Sequence, residues 1–315
     1  MNSNFYENDK THVSMIERFL KTYFAKKFVP FKLFPRQKEL CKVLSDSQYV
    51  VVNKSRQMGV SSVCSAFIAS ELCLADQKSP ETVLIIAPTL NLGRETFKKI
   101  KEFLLQFPLW VWGIFENSGY DLFSPPENGS IIFDTCNSKE LKLKNGCKVF
   151  VRSSGPDTSI GLGGVTWLVL EESAFINPDV YVSALPTTSS NGHVVMISTP
   201  ATDKKDELHH EICRRAGFKG AEGWNNFELF EMKWYQDPRF NKFLEWRNAD
   251  KEIIKETYLD EDGTVEYNPE HWDKLINEGF KPSSPWYEKM RHTYGYNREM
   301  IETEVDALFR TKSYL

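Results

Sequence analysis

The sequence predicts an α/β fold, a mostly parallel sheet flanked by helices, and two observations carry that expectation. Four runs are short, apolar and rich in β-branched residues: YVVVN (49–53), TVLIIA (82–87), VTWLVL (165–170) and HVVMIS (193–198). Runs of this kind suit strands buried on both faces, as the strands of parallel sheets are. Between them lie stretches with apolar residues at helical spacing. Buried strands alternating with helices build a parallel sheet with helices on its faces.

The elements follow in order. Ser14 and Glu17 have the spacing of a capping box, and Ile16, Phe19, Leu20 and Tyr23 continue at helical spacing, so residues 1–31 read as a helical N-terminal segment. Pro35 opens a second short helix through Leu44. The strand 49–53 leads through a polar turn into a helix from Ser61 to Ala75. After the strand 82–87, Leu92, Phe97, Ile100, Phe103 and Leu104 mark a helix over 91–106. ELKLKNGCKVFVR (140–152) alternates apolar and polar residues around Asn145-Gly146, a pair suited to the type I′ turn of a hairpin. From about residue 215 tryptophan and tyrosine become frequent, charges of both signs mix in, and DEDGT (260–264) reads as an exposed turn. The expected organisation is a core of 32–214 followed by a smaller, mainly helical subdomain of 215–315.

The bulk numbers bound the function without naming it. The chain of 315 residues is long enough for one large domain or two smaller ones. Lys plus Arg is 39 against Asp plus Glu 43, so a net charge of −4 offers no general attraction to nucleic acid. The cysteines at 41, 64, 73, 136, 147 and 213 form no C-x-x-C pair and read as free thiols of a reducing compartment. No apolar run reaches the ~20 residues of a membrane span, and MNSNFYENDK lacks a targeting pattern. A cytoplasmic protein is expected, with no membrane partner.

Four segments carry the chemistry. VVNKSRQMGVSS (51–62) runs from strand through turn to helix, as a phosphate-binding loop does. Aligned on G-x-x-x-x-G-K-S/T with Gly59 as the second glycine, Ser61 takes the magnesium hydroxyl place, Val60 the lysine place, and Lys54 the first glycine place. A plain strand-to-helix turn with a serine cap would share these features. LVLEESAFI (168–176) ends an apolar run in Glu171 and Glu172. In nucleotide hydrolases with phosphate loops, such a pair supplies a magnesium carboxylate, here Glu171, and a base for the attacking water, here Glu172. The two segments lie about 110 residues apart in a strand–helix–strand pattern, which favours the functional reading of both. KLFPRQKEL (32–40) offers Phe34 and Gln37 to an adenine, or simply a helix start. VVMISTPAT (194–202) ends a strand in Ser198 and Thr199, hydroxyls placed to sense a γ-phosphate.

This ordered set, K-S-R-Q-M-G-V-S-S, A-P-T (87–89), L-V-L-E-E-S-A-F-I and I-S-T-P, resembles the ATPase domain of the large terminase subunit of tailed phages over roughly residues 32 to 205. WYQDPRF (234–240) and the span from Glu304 to Phe309 resemble that family's second subdomain. The resemblance implies a P-loop NTPase fold of the additional-strand type and ATP-driven translocation of double-stranded DNA. It implies ATP and Mg2+ as cofactors, the portal and small terminase subunit as partners, a ring in the assembled motor, and the host cytoplasm as location. Several large terminases carry the loop lysine at the first position, where Lys54 stands, and Arg56 resembles a family arginine proposed to reach the γ-phosphate. The nucleotide site implied is Phe34, Gln37, Lys54, Ser55, Arg56, Gln57, Met58, Gly59, Val60, Ser61, Ser62, Ser198 and Thr199, with Lys54, Arg56 and Glu172 catalytic and Ser61 and Glu171 on the metal. Glu171 stands where aspartate is usual. No room is evident for the nuclease domain that follows in the complete family protein. A helicase-type translocase and a nucleotide-binding scaffold without turnover are the alternatives.

Overall fold

The computed structural model describes residues 12–24, 27–113, 121, 123–126, 129–155, 162–201, 207–250 and 252–309. The expectations on the first ten residues and on Thr202 lie outside them. Helix α1 (His12–Phe19) leads into a hairpin of β1 (Lys21–Phe24) and β2 (Lys27–Pro30). This corrects the expected N-terminal segment in two ways. Ser14 sits within the helix rather than capping it, and Tyr23 belongs to a strand. KTYF and KFVP carry the aromatic and β-branched residues of strands, and Pro30 closes the second. The match of Phe19 and Tyr23 to helical spacing spans a helix end.

The core follows the expected alternation. Helix α2 (Pro35–Asp46) precedes β3 (Tyr49–Lys54), α3 (Val60–Leu74), β4 (Thr82–Ala87) and α4 (Leu90–Leu104). Next come β5 (Phe133–Cys136), β6 (Glu140–Leu143), β7 (Lys148–Ser153), β8 (Val165–Glu171), helix α5 (Pro178–Ala184), β9 (Thr188–Ser198) and helix α6 (Glu207–Ala216). The β6–β7 hairpin forms as expected, but its turn differs. Gly146 alone takes positive φ (+92°), after a turn closed by its N–H on Leu143 O. A type I′ turn needs positive φ at both central residues, so this is the longer hairpin with a left-handed glycine.

One eight-stranded sheet has the order β10-β3-β9-β8-β4-β7-β6-β5, where β10 is Glu228–Met232. Pairing is parallel from β10 through β7 and antiparallel for the last two strands. Because β9 lies between β3 and β8, the carboxyl ends of all three strands share one edge. Residues far apart in sequence are thereby neighbours there: Asn53 is level with Ser198, and Ile197 with Glu171. Helices α1 to α4 cover one face with Ile16, Leu40, Phe67 and Ile100, all buried. Helices α5 and α6 cover the other with Val180, Ala184 and Ile212. Helix α3 is apolar nearly all round because it packs both on the sheet and under α1 and α4.

The expected boundary at 214/215 falls inside α6, and β10, well beyond it, completes the main sheet. ELFEM lacks a clean apolar run because an edge strand has only one neighbour to satisfy. The remaining residues form a three-stranded antiparallel sheet of β11 (Glu245–Arg247), β12 (Ile253–Lys255) and β13 (Lys281–Ser283), with helices α7 (Pro269–Asn277) and α8 (Pro285–Thr293). Trp234, Trp246 and Trp272 are fully buried there. A short helix α9 (Arg298–Met300) runs into a π turn, Ile301–Val305, which lies beside the end of β3. Among the described residues no helix is long and apolar enough to cross a membrane. None of the six cysteines is in a disulfide among the described residues.

Candidate nucleotide site

Lys54 is the last residue of β3 and is only 7 % exposed. The chain then turns through residues 55–59 into α3. Gln57 (φ +63°) and Gly59 (φ +73°) both take left-handed backbone. A side chain at 59 would also meet the Gln37 amide, because an added Cβ would sit 3.1 Å from Gln37 Nε2. Among the described residues, the N–H groups of Gln57, Met58, Gly59, Val60 and Ser61 donate no hydrogen bond. Unpaired amides converging at a helix start form a concave, electropositive nest suited to an anion.

The other loop residues are held by chain partners. The Ser55 hydroxyl accepts from Trp234 N–H (3.0 Å), and Ser55 N–H donates to Met232 O (2.9 Å). Met58 is buried, and its carbonyl accepts from Gln37 Nε2 (3.2 Å). Gln37 Oε1 accepts from Phe34 N–H (3.4 Å), so both ends of the amide expected to read adenine are engaged within the chain. Phe34 faces the Arg239 guanidinium, 5.8 Å from its ring centre. Val60 is 1 % exposed in the core, a packing residue of the first helical turn. Ser62 closes that turn, its N–H donating to Gly59 O (3.0 Å). Arg56 lines the cleft but is gripped by Glu304. Its Nη2 donates to Glu304 Oε1 (2.9 Å), its Nε to Oε2, and its N–H to Glu304 O (2.9 Å).

The paired carboxylates take different environments. Glu171 ends β8 and is 3 % exposed; Ser61 Oγ donates to its Oε1, while Oε2 is buried without a partner. Burial raises its pKa, and Ser61 and Lys54 partly restrain the rise. Glu172 sits at φ +49°, in left-handed backbone that costs a non-glycine residue on the order of 1–3 kcal/mol. That turn swings its carboxyl back over the sheet edge. Oε1 lies 3.5 Å from Lys54 Nζ, and Oε2 accepts from Ser198 Oγ (3.3 Å). Ser198 Oγ also contacts Thr199 O (2.7 Å) and accepts from Ala174 N–H (3.3 Å); Thr199 itself is buried.

These groups open on a cleft of about 520 Å³. Lys54, Arg56 and Gln57 line it from the loop, Pro88 and Leu92 from the start of α4, and Glu172 and Phe175 from the end of β8. Among the described residues no group of three or more His, Cys, Asp or Glu side chains converges on a metal position. Three residues were given no role at the cleft by the sequence reading: Arg239 and Glu304, which lie in segments it quoted, and His209. Arg239 chelates Asp237 (2.5–3.1 Å) and donates to Gln57 O (3.0 Å), pinning the loop from outside. The D-P-R spacing was visible; its target 182 residues away was not.

No protein-family model matches the sequence. The fold is similar to that of the large terminase ATPase domain of Thermus phage P74-26, with a TM-score of 0.53 at 17 % identity, over 89 % of this chain and 95 % of that one. It is also similar to the large terminase of bacteriophage HK97, with a TM-score of 0.55 at 12 % identity, over 96 % of this chain and 55 % of that one. At these identities the likeness is one of fold, and it bears out the expected α/β P-loop architecture.

Proposed function

We propose that this chain hydrolyses ATP in the cleft between Lys54 and Glu172, as the motor domain of a terminase-type DNA-packaging machine. One observation carries the reading. The amides of residues 57–61 donate no hydrogen bond among the described residues, and a buried lysine and the Glu172 carboxylate line the cleft beside them. Two structures of similar fold are named as large terminase or its ATPase domain, which supports the assignment of the cleft to ATP.

In this reading the phosphates sit in the loop, with the 57–61 amides on their oxygens. Lys54 turns from Glu172 to the phosphates and offsets their charge from the strand side. Its ammonium is a point charge on a flexible stem, so entry from the loop's first position delivers the charge that the seventh position supplies elsewhere. Released from Lys54, Glu172 keeps the Ser198 contact and orients the attacking water as its base. Arg56 must leave Glu304 to reach the γ-phosphate. Phosphoryl transfer needs little more than this positioning and charge stabilisation. A magnesium ion fits Ser61 and Glu171, whose buried Oε2 lacks a partner; it would neutralise phosphate charge. Ser198 and Thr199 relay loss of phosphate along β9. Phe34, Gln37, Ser55, Met58, Val60 and Ser62 then shape the loop rather than touch the reacting atoms.

The finer assignments are translocation of double-stranded DNA in the host cytoplasm, a ring of copies, and docking to a portal and small subunit. Phosphate release by the pure chain, with and without double-stranded DNA, tests both levels. Turnover raised by DNA or by higher protein concentration supports the motor. ATP binding with no phosphate release under any condition leaves only a nucleotide-binding scaffold.

A further inference from the structure

The carboxylate turn is braced from beneath by a helix that contributes nothing to the lining of the cleft. Ser173, directly after Glu172, is 1 % exposed, and His209 of α6 is 0 % exposed. Their Oγ and Nδ1 atoms are 2.8 Å apart. One turn further along α6, Cys213 Sγ lies 3.7 Å from His209 Nε2. Both ring nitrogens are therefore engaged, and the imidazole is fixed in the plane that meets Ser173. Burial, reinforced by the charge of Lys54, pushes its pKa down to about 3, so the ring is neutral and one of its nitrogens is an acceptor.

A left-handed residue such as Glu172 persists only where its surroundings hold it. Besides the packing of Ala174 and Ile176, both buried, the turn has few hydrogen bonds. Phe175 N–H and Ile176 N–H close it locally on Glu172 O and Ser173 O, and Ala174 N–H reaches Ser198. Ser198 also touches the Glu172 carboxyl, so it belongs to the cleft itself. His209 does not line the cleft; it meets the turn through Ser173. Helix α6 is tied in turn to the last described residue, for the His210 ring stacks on Phe309 with centroids 4.4 Å apart and planes 9° apart. The seating of α6 thus links the far end of the chain to the orientation of Glu172.

We infer that His209 is a positioning residue for Glu172, holding the 172–175 turn through Ser173 so that the carboxyl faces Lys54 and Ser198. The inference rests on Glu172 being the catalytic base. Asparagine can present a polar atom where His209 Nδ1 stands, whereas glutamine reaches toward the Nε2 position. The test compares His209→Leu, His209→Asn, His209→Gln and Ser173→Ala, with rates normalised to folded protein. His209→Leu and Ser173→Ala should each lower kcat about 10- to 100-fold with ATP Kd changed less than about 3-fold, the pattern of a lost transition-state arrangement. His209→Asn should recover most of the rate and His209→Gln little. A double variant carrying His209→Leu and Ser173→Ala should be no slower than the slower of the two single ones, as expected of two residues acting through one contact. Unchanged kcat per folded molecule in His209→Leu, or additive losses in the double variant, overturns the inference. Amide hydrogen exchange keeps the test separate from the ATPase reading. Even if the wild type releases no phosphate, His209→Leu should speed exchange at Ala174, Phe175 and Ile176 well beyond any rise in the α3 core. Unchanged protection at those three amides overturns the positioning role by itself.

Discussion

The loop side of the cleft is held from later in the chain: Met232 and Trp234 bind Ser55, Arg239 binds Gln57, and Glu304 binds Arg56. The carboxylate side is held from within the sheet and its covering helix, through Ser61, Ser198 and His209. These four partners all lie after β9 in the chain, and Gln37 of α2 adds a hydrogen bond to Met58 O. The comparison separates two jobs. The 55–59 loop and Arg56 depend directly on residues 232–304, whereas Glu171 and Glu172 depend on the sheet and on α6. Changes on the carboxylate side should therefore strike the rate, and changes on the loop side should strike affinity and stability.

The largest effect is expected at Glu172. Glu172→Gln removes a base with little change of volume, and loss of a general base costs roughly 10²–10⁴-fold in kcat. ATP affinity should stay close to that of the wild type, as equilibrium binding of a labelled nucleotide would show. A variant that both binds and turns over normally removes the carboxylate side from the chemistry.

On the loop side Arg239→Ala is expected to act the other way. It frees Gln57 O and leaves Asp237, which is fully buried, without its guanidinium. ATP Kd should rise about 3- to 10-fold through loss of one charge-assisted hydrogen bond to the loop, with kcat at saturating ATP nearly kept. Titration calorimetry and saturating kinetics together check the split. A larger loss in kcat than in affinity would erase the contrast between the two sides.

The smallest effect concerns the anchor beneath Arg56. Asp306 accepts from Trp234 Nε1 (3.2 Å) and Tyr287 OH (3.0 Å), yet burial raises its pKa from 3.8 to about 6. The folded state then binds the proton more tightly than the unfolded state. Its contribution to stability is full below about pH 4 and is lost as pH rises through about 6. Asp306→Asn keeps the packing while removing the charge; its one amide oxygen can accept from Trp234 Nε1, and its Nδ2–H can donate to the Tyr287 hydroxyl. It should raise Tm by about 2–5 °C at pH 7.5, with the gain vanishing toward pH 4. A melting temperature that moves equally at both pH values would assign the effect to packing alone.

The legible parts of this molecule are those whose signal is local. Strands β3, β4, β8 and β9 are buried on both faces, so their apolar runs are unbroken, and their boundaries were readable to within a few residues except at the start of β9. Lys54, Ser61, Glu171 and Glu172 sit at strand or helix ends, and the parallel sheet makes those ends neighbours. Strand β10 was missed because an edge strand needs no apolar run, and β1 because Phe19 and Tyr23 mimic a helix across its end. Glu304 and Arg239 could not be paired with the loop from sequence, since their targets lie 248 and 182 residues away. His209 gives no motif at all, because its role is to fill a buried contact under a turn.

The central claim is that the loop lysine stands at position 54 and that Val60 only packs. Phosphate release by Lys54→Ala, measured beside the wild type and Val60→Lys at saturating ATP, tests it most directly. The account predicts at least about a 100-fold loss in Lys54→Ala, an order typical of removing a positioned charge from developing phosphate charge. It also predicts weaker binding of ATP but not of adenosine, and no gain from Val60→Lys. Normal phosphate release by Lys54→Ala, or activity that appears only when lysine is placed at 60, would contradict it.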